Sequence, residues 1–215
     1  METGESLVVE VGGSTLRGSV VSLLGKHEVS IAKMKDGVTE KSRKEEKLDE
    51  WQKGCEADAE RVKGMYERFL EPLDQATSED GSLSLPLAFT FSFPIHQTST
   101  DEGSLIHWTK GWRCAELVGN DVVNPLRRAL AAQEKFRSVP LRALVNDTVG
   151  VLMLARYRNP TTELGLVMGT GTNAAYLETE ERYFGRSVSG ARAAAAGKKG
   201  MVVVNSEWGG FGSKG

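Results

Sequence analysis

The chain has 215 residues, room for one large domain or two small ones at roughly 100–200 residues each. Hydrophobic residues make up 40% and charged residues 26%, with 27 Lys plus Arg against 29 Asp plus Glu for a formal net charge of −2. That balance excludes a general basic footprint for nucleic acid or an anionic membrane surface, and no apolar run approaches the ~20 residues that cross a bilayer. Glycine is the one excess, 24 residues against a usual ~7%, and glycine serves where a backbone turns tightly or lets a ligand approach. The start, Met1 to Ser6, is polar and acidic, unlike a signal or transit peptide. Cys55 and Cys114 form no disulfide framework, and His27, His96 and His107 are scattered, so a reducing cytoplasmic location without a resident metal is expected.

Taken in chain order, residues 7–24 read as two short strands around the turn Gly12-Gly13, followed by a charged connection over 26–41. A long helix is expected over 42–71. It opens on a Ser42/Glu45 capping box, carries the stripe Leu48, Trp51, Cys55, Ala59, Val62, Tyr66 and Phe69, and stops at Pro72. Leu85 to Phe93 is a buried strand ended by Pro94. A second helix begins at Asn124-Pro125, where proline suits the first turn, and runs to about Lys135. Val139 to Val145 is a strand, and Thr148 to Tyr157 a helix apolar nearly all round, expected inside the protein. Residues 163–179 return to strand, glycine turn and strand, 185–200 form a surface loop, and Met201 to Asn205 is a final strand. Strand–helix alternation points to an α/β protein.

The chemistry gathers at a few points. Gly12-Gly13-Ser14-Thr15 and Gly169-Thr170-Gly171-Thr172 can each present backbone N–H groups and hydroxyls to a phosphate, although each alone also fits a plain turn. Both end an apolar strand and lead into another, a weak internal repeat that coincidence would also produce. Asp147, in Asn146-Asp147-Thr148-Val149-Gly150, lies between a strand and a helix. It suits a helix N-cap and equally a general base at a helix N-terminus, where the dipole favours negative charge. In Phe89-Thr90-Phe91-Ser92-Phe93-Pro94, Thr90 and Ser92 share a strand face, and Trp108-Thr109-Lys110-Gly111 sets a hydroxyl and a cation beside an aromatic. Such a mixture of hydroxyls, carboxylate, amide and aromatic surface suits a sugar pocket.

Phe91-Ser92-Phe93-Pro94, Trp108-Thr109-Lys110-Gly111, Asn120-Asp121-Val122-Val123, Leu144 to Gly150, Gly169 to Ala174 and Asn205-Ser206-Glu207-Trp208-Gly209 together resemble the eukaryotic hexokinases, of the fungal hexokinase/glucokinase group, in order and spacing over nearly the whole chain. The resemblance implies an actin-like ATPase (ribonuclease H-like) α/β fold, with residues 1–148 as the small lobe and 149–215 as the start of the large lobe. It implies transfer of the ATP γ-phosphate to the 6-hydroxyl of a hexose such as glucose, with Mg2+. Carried over residue by residue, Asp147 matches the catalytic base, and Ser92, Thr109, Lys110, Asn146, Asn173 and Glu207 match the sugar contacts. Gly12, Gly13, Ser14 and Arg17 match the first phosphate loop, and Gly169, Thr170, Gly171 and Thr172 the second. The family's Asp-x-Gly-Gly-Thr-Asn-x-Arg appears here with Glu10 for the acid and Thr15 for the Asn. The chain also stops just past Glu-Trp-Gly, so an incomplete hexokinase with little activity by itself is expected. The alternative is a non-catalytic relative that binds sugar or regulates.

Overall fold

The computed structural model describes residues 3–12, 16–33, 59–71, 73, 83–169, 171–184 and 200–211. The chain divides into two compact units, Met1–Val145 and Asn146–Gly215.

The first unit is built on a five-stranded mixed sheet. Its strands are β1 (Thr3–Val11), β2 (Leu16–Gly25), β3 (Glu28–Lys33), β4 (Leu87–Phe91) and, after the hairpin β5 (Ile95–Ser99) and β6 (Glu102–Leu105), β7 (Leu141–Val145). The order across the sheet is β3-β2-β1-β4-β7. β1 runs antiparallel to β2 and parallel to β4, with Leu7 beside Leu87, Val9 beside Phe89 and Val11 beside Phe91. All six of these side chains are buried, each stabilising the unit by about 1.5–3 kcal/mol relative to exposure.

Helix α1 (Ala59–Leu70) covers this face with Met65, Tyr66, Phe69 and Leu70. Its stripe continues into a chain of rings: Tyr66 and Phe69 lie 6.4 and 6.2 Å from Phe89, and Phe89, Phe91 and Phe93 follow at 5.5 and 4.8 Å. The expected start of this helix, with Ser42, Trp51 and Cys55, lies outside the described residues. Beside α1 packs α2 (Asn124–Ala132), which buries Leu126, Ala129 and Leu130. Asp121 ties the start of α2, its Oδ1 accepting the N–H groups of Val123 (2.9 Å) and Asn124 (2.7 Å) and its Oδ2 that of Gly103 (3.0 Å). The Tyr66 hydroxyl donates to the Val122 carbonyl at 2.8 Å. Burial, followed by the nearby Cys114 and Asp121, raises the pKa of this phenol well above its ordinary 10.0.

Two elements differ from the sequence reading. The charged connection after residue 26 contains a strand, β3, reached through the two-residue turn Lys26-His27. Both turn residues have positive φ, 51° and 65°, the hand that tight hairpins require and that Asn-Gly normally supplies. The hairpin of β5 and β6 is likewise an addition. β5 is mostly exposed, so it lacks the apolar alternation that marks a strand.

The second unit is a three-stranded antiparallel sheet, β8 (Leu164–Met168), β9 (Thr172–Thr179) and β10 (Met201–Asn205), in the order β10-β9-β8. It also holds helix α3 (Asp147–Arg158) and the short α4 (Glu180–Phe184). α3 lies so close to β8 that a Cβ on Gly165 would stand 2.8 Å from the backbone N of Leu152. The expectation that α3 is interior all round is corrected here. Only Thr148 and Leu152 are buried, while Val151, Met153 and Leu154 are 42%, 47% and 36% exposed. A single three-stranded sheet offers one surface, and a helix without an amphipathic stripe leaves its other apolar sides uncovered. The expected loop over 185–199 lies outside the described residues.

Candidate active site

In the second unit, Asn146, Asn173 and Glu207 meet through strand geometry. Asn205 on β10 pairs in register with Ala175 on β9. Asn173, two residues before Ala175, therefore shares its face of the sheet, because side chains alternate along a strand. Asn173 Nδ2 donates to Asn205 Oδ1 at 2.8 Å and to Glu207 Oε1 at 3.0 Å. Asn205 Nδ2 donates to the same Glu207 oxygen at 2.8 Å, and Asn146 Nδ2 reaches it at 3.4 Å. The sequence reading assigned no site role to Asn205. Its one signal is a polar residue closing the apolar run Met201 to Val204, two residues before Glu207.

The choice between cap and base at Asp147 is narrowed by its neighbour. Asn146, 4% exposed, is the N-cap of α3, and its Oδ1 accepts the Thr148 N–H at 2.9 Å. Asp147 occupies the first helical turn. Its Oδ1 accepts from the Thr148 N–H (2.8 Å) and hydroxyl (3.2 Å), and its Oδ2 accepts no hydrogen bond among the described residues. One carboxylate oxygen is thus anchored, and the other is left without a hydrogen bond among the described residues.

In the first unit, Ser92 follows β4 and is 5% exposed. Its N–H donates to Val11 O at 3.1 Å, and its carbonyl accepts from Lys110 Nζ at 2.9 Å. Its Oγ is buried with no hydrogen-bond partner among the described residues, a state that costs about 1–3 kcal/mol unless another group, such as a ligand hydroxyl, relieves it. Lys110 sits at φ 59°, a left-handed conformation unfavourable for a residue with a Cβ. Its ammonium lies 5.5 Å from the centre of the Phe93 ring. Thr109 stands beside it, half-buried, on a loop braced by Trp108 stacked on Trp112 at 5.5 Å and by the Trp108 Nε1 bond to Cys114 O. Ser92 and Lys110 are therefore directly joined, and Thr109 is their neighbour in the chain.

The two glycine loops are described only in part. Gly12 is buried at the end of β1, while Gly13, Ser14 and Thr15 lie outside the described residues. Arg17 stands directly across from Glu10 on β2 and pairs with it at 3.4 Å, an exposed pair of the kind worth about 0–1 kcal/mol. In the second loop Thr170 lies outside the described residues. The Gly169 N–H donates to Gly171 O at 2.9 Å, and Thr172 opens β9. A Cβ on Gly169 would meet nothing nearer than 3.9 Å, and one on Gly171 nothing within 4 Å. Packing within the described residues does not demand glycine at either position.

Comparison with known proteins bears on the family and the fold. Two family models, each described as hexokinase, match residues 1–157 and 163–215. Human hexokinase-1 is 45% identical over 131 residues, covering 61% of this chain and 13% of that protein. Human hexokinase HKDC1 is 44% identical over 132 residues, with the same shares. The structure of Schistosoma mansoni hexokinase complexed with glucose superposes with a TM-score of 0.75 at 30% identity, covering 98% of this chain and 42% of that one. A second hexokinase crystal structure gives 0.66 at 26% identity over 86% of this chain. The chain thus spans only 13% of the curated relatives and 42% of the Schistosoma protein. None of these relatives supports the fungal subgroup that the motifs suggested. The fold is the actin-like ATPase fold of these enzymes, the small lobe with the beginning of the large one. With hexokinase models matching from residue 1 to 157 and from 163 to 215, and its motifs assembled as described, the chain belongs to the hexokinase family.

Proposed function

We propose that the protein transfers the γ-phosphate of ATP to the 6-hydroxyl of a hexose such as glucose. The observation that carries this reading is the convergence of Asn146, Asn173 and Glu207, which come from well-separated parts of the chain. Amides and a carboxylate clustered in this way suit the hydroxyls of a sugar. Ser92, with its unpartnered buried hydroxyl, and its neighbours Thr109 and Lys110 are the further sugar contacts in this reading.

Asp147 is the general base. The sugar O6 attacks the γ-phosphorus, the bond from that phosphorus to the β–γ bridging oxygen breaks, and the hydroxyl proton passes to Asp147 Oδ2 as ADP leaves. The remaining acceleration comes from positioning and electrostatic stabilisation of the moving phosphoryl group. The backbone of Gly169, Thr170, Gly171 and Thr172 holds phosphate, with Gly12, Gly13, Ser14 and Arg17 as the second grip. Arg17 must release Glu10 to reach it. Mg2+, bound to phosphate oxygens of ATP and to waters, would offset the charge of the phosphates that these loops hold. The setting proposed is the cytoplasm, at the entry of hexose into glycolysis.

A coupled assay with glucose, ATP and magnesium tests this on the full chain. Turnover, expected to be slow in a chain that spans 42% of the Schistosoma protein, should fall about 100- to 10,000-fold in Asp147→Ala, the usual worth of a general base, with glucose binding retained in calorimetry. Glucose binding without turnover in the wild type would replace this reading with the non-catalytic one. Absence of both would remove the sugar from the proposal.

A further inference from the structure

Glu207 is held in place at unusual density. Its φ of 49° and ψ of 34° are left-handed, a state that persists only where the surroundings over-determine it. On one side, the Ser206 N–H and hydroxyl both donate to Ala174 O, at 2.9 and 2.8 Å. On the other, Gly210 N–H donates to Glu207 O at 3.1 Å, and Gly209 passes so close to the Thr172 carbonyl oxygen that no Cβ could fit. These contacts fix the backbone. Among the described residues the carboxylate itself accepts only from amides, and all three converge on Oε1.

The three amides are not equivalent. Asn205 makes the shortest bond to Oε1, 2.8 Å against 3.0 Å from Asn173 and 3.4 Å from Asn146. Asn205 also accepts from Asn173 Nδ2 at 2.8 Å. One side chain therefore sets both of its neighbours, its donor end on Glu207 and its acceptor end on Asn173. We propose that Asn205 is a positioning residue, which turns Glu207 Oε1 inward and leaves Oε2 as the acceptor for a sugar hydroxyl. Oε2 accepts no hydrogen bond among the described residues, while Oε1, with two lone pairs, already faces three donors. The role of Oε2 rests on the reading of this site as a hexose site. The orientation of the carboxylate does not.

Asn205→Asp in the full, 15N-labelled chain provides the test, with glucose as the probe ligand. The substitution keeps the shape but sets an acceptor where the donor stood, and two like charges at that distance move apart. The side-chain amide resonances of Asn173 and Asn146 should shift without any sugar, because the oxygen they share has moved. Glucose affinity by calorimetry should fall about 10-fold or more, with little change in thermal midpoint. Because Asn205 acts on Asn146 and the sugar only through Glu207, the same substitution in a Glu207→Gln background should change the Asn146 resonance and the affinity far less, while Asn173, which Asn205 bonds directly, still shifts. An unmoved Asn146 amide in Asn205→Asp would overturn the inference. So would an affinity loss of equal size in both backgrounds, the mark of a merely structural role. If the amides shift as described but the wild type binds no glucose, the hexose reading fails and the positioning of Glu207 stands.

Discussion

Gly165→Ala puts the packing of α3 on β8 to a direct test. The added Cβ would lie 2.8 Å from Leu152 Cβ and N and 2.9 Å from its Cα. Ordinary contact begins at 3.4 Å, so the helix and strand must part by about 3.4 − 2.8, or 0.6 Å. The opposing atoms are helix backbone and Cβ, so no side-chain rotation relieves the clash and α3 moves as a body. Overpacking of this kind costs about 1–3 kcal/mol, and the loss of glycine flexibility in the unfolded chain offsets about 0.4–1 of it. The expected net loss is about 1–2 kcal/mol in urea unfolding. Asn146 caps the moving helix and reaches Glu207 at only 3.4 Å, so its bond breaks. A displacement near 1 Å at a catalytic group lowers turnover up to ~100-fold. Gly171→Ala is the matched control, because its Cβ meets nothing within 4 Å, and it should stay within about 0.5 kcal/mol of wild type. Equal stability of Gly165→Ala and wild type, or a larger loss in the control, would show that the approach of helix to strand is not what requires glycine.

The core and its pH response offer three further tests. Phe89→Ala should lose about 3–5 kcal/mol in denaturant unfolding, since Phe89 is fully buried between Phe91 and the rings of α1. A loss under about 1 kcal/mol would contradict that packing. Tyr66→Phe should lose about 1 kcal/mol near neutral pH with the bond to Val122. Because the folded phenol's pKa is raised above 10.0, the unfolded chain releases this proton first. The Tyr66 contribution is therefore complete below about pH 10 and shrinks as pH rises from there toward the folded pKa, by up to ~1.4 kcal/mol per pH unit. The stability difference between wild type and Tyr66→Phe should fall as pH rises above about 10, and a flat difference there would be evidence against a buried, protonated phenol. Gly209→Ala would push its Cβ into the Thr172 carbonyl oxygen, displace the turn that carries Glu207, and lower glucose affinity about 10-fold in titration calorimetry.

Local patterns made much of the fold legible. The run Met201 to Asn205 is a strand with those bounds, and α2 begins at Asn124-Pro125 as its proline dictates. Tyr66 and Phe69 were readable as core because a 3.6-residue stripe survives any tertiary context. The ordered motifs were enough to point to the family. Other features depend on groups that only folding brings together. β3 was hidden because its turn places Lys26 and His27, not Asn-Gly, at positive φ, a conformation held by strand pairing and not by residue preference. The exposed sides of α3 were hidden because hydrophobicity alone does not say how much surface a sheet will offer. At the site, the sequence left Asp147 as cap or base, and only the geometry of the helix start gave the cap to Asn146 and left Asp147 Oδ2 without a hydrogen bond among the described residues. Asn205 was silent in the sequence for the same reason. Its meaning lies in strand register, which sets it beside an asparagine 32 positions away and on the carboxylate of Glu207.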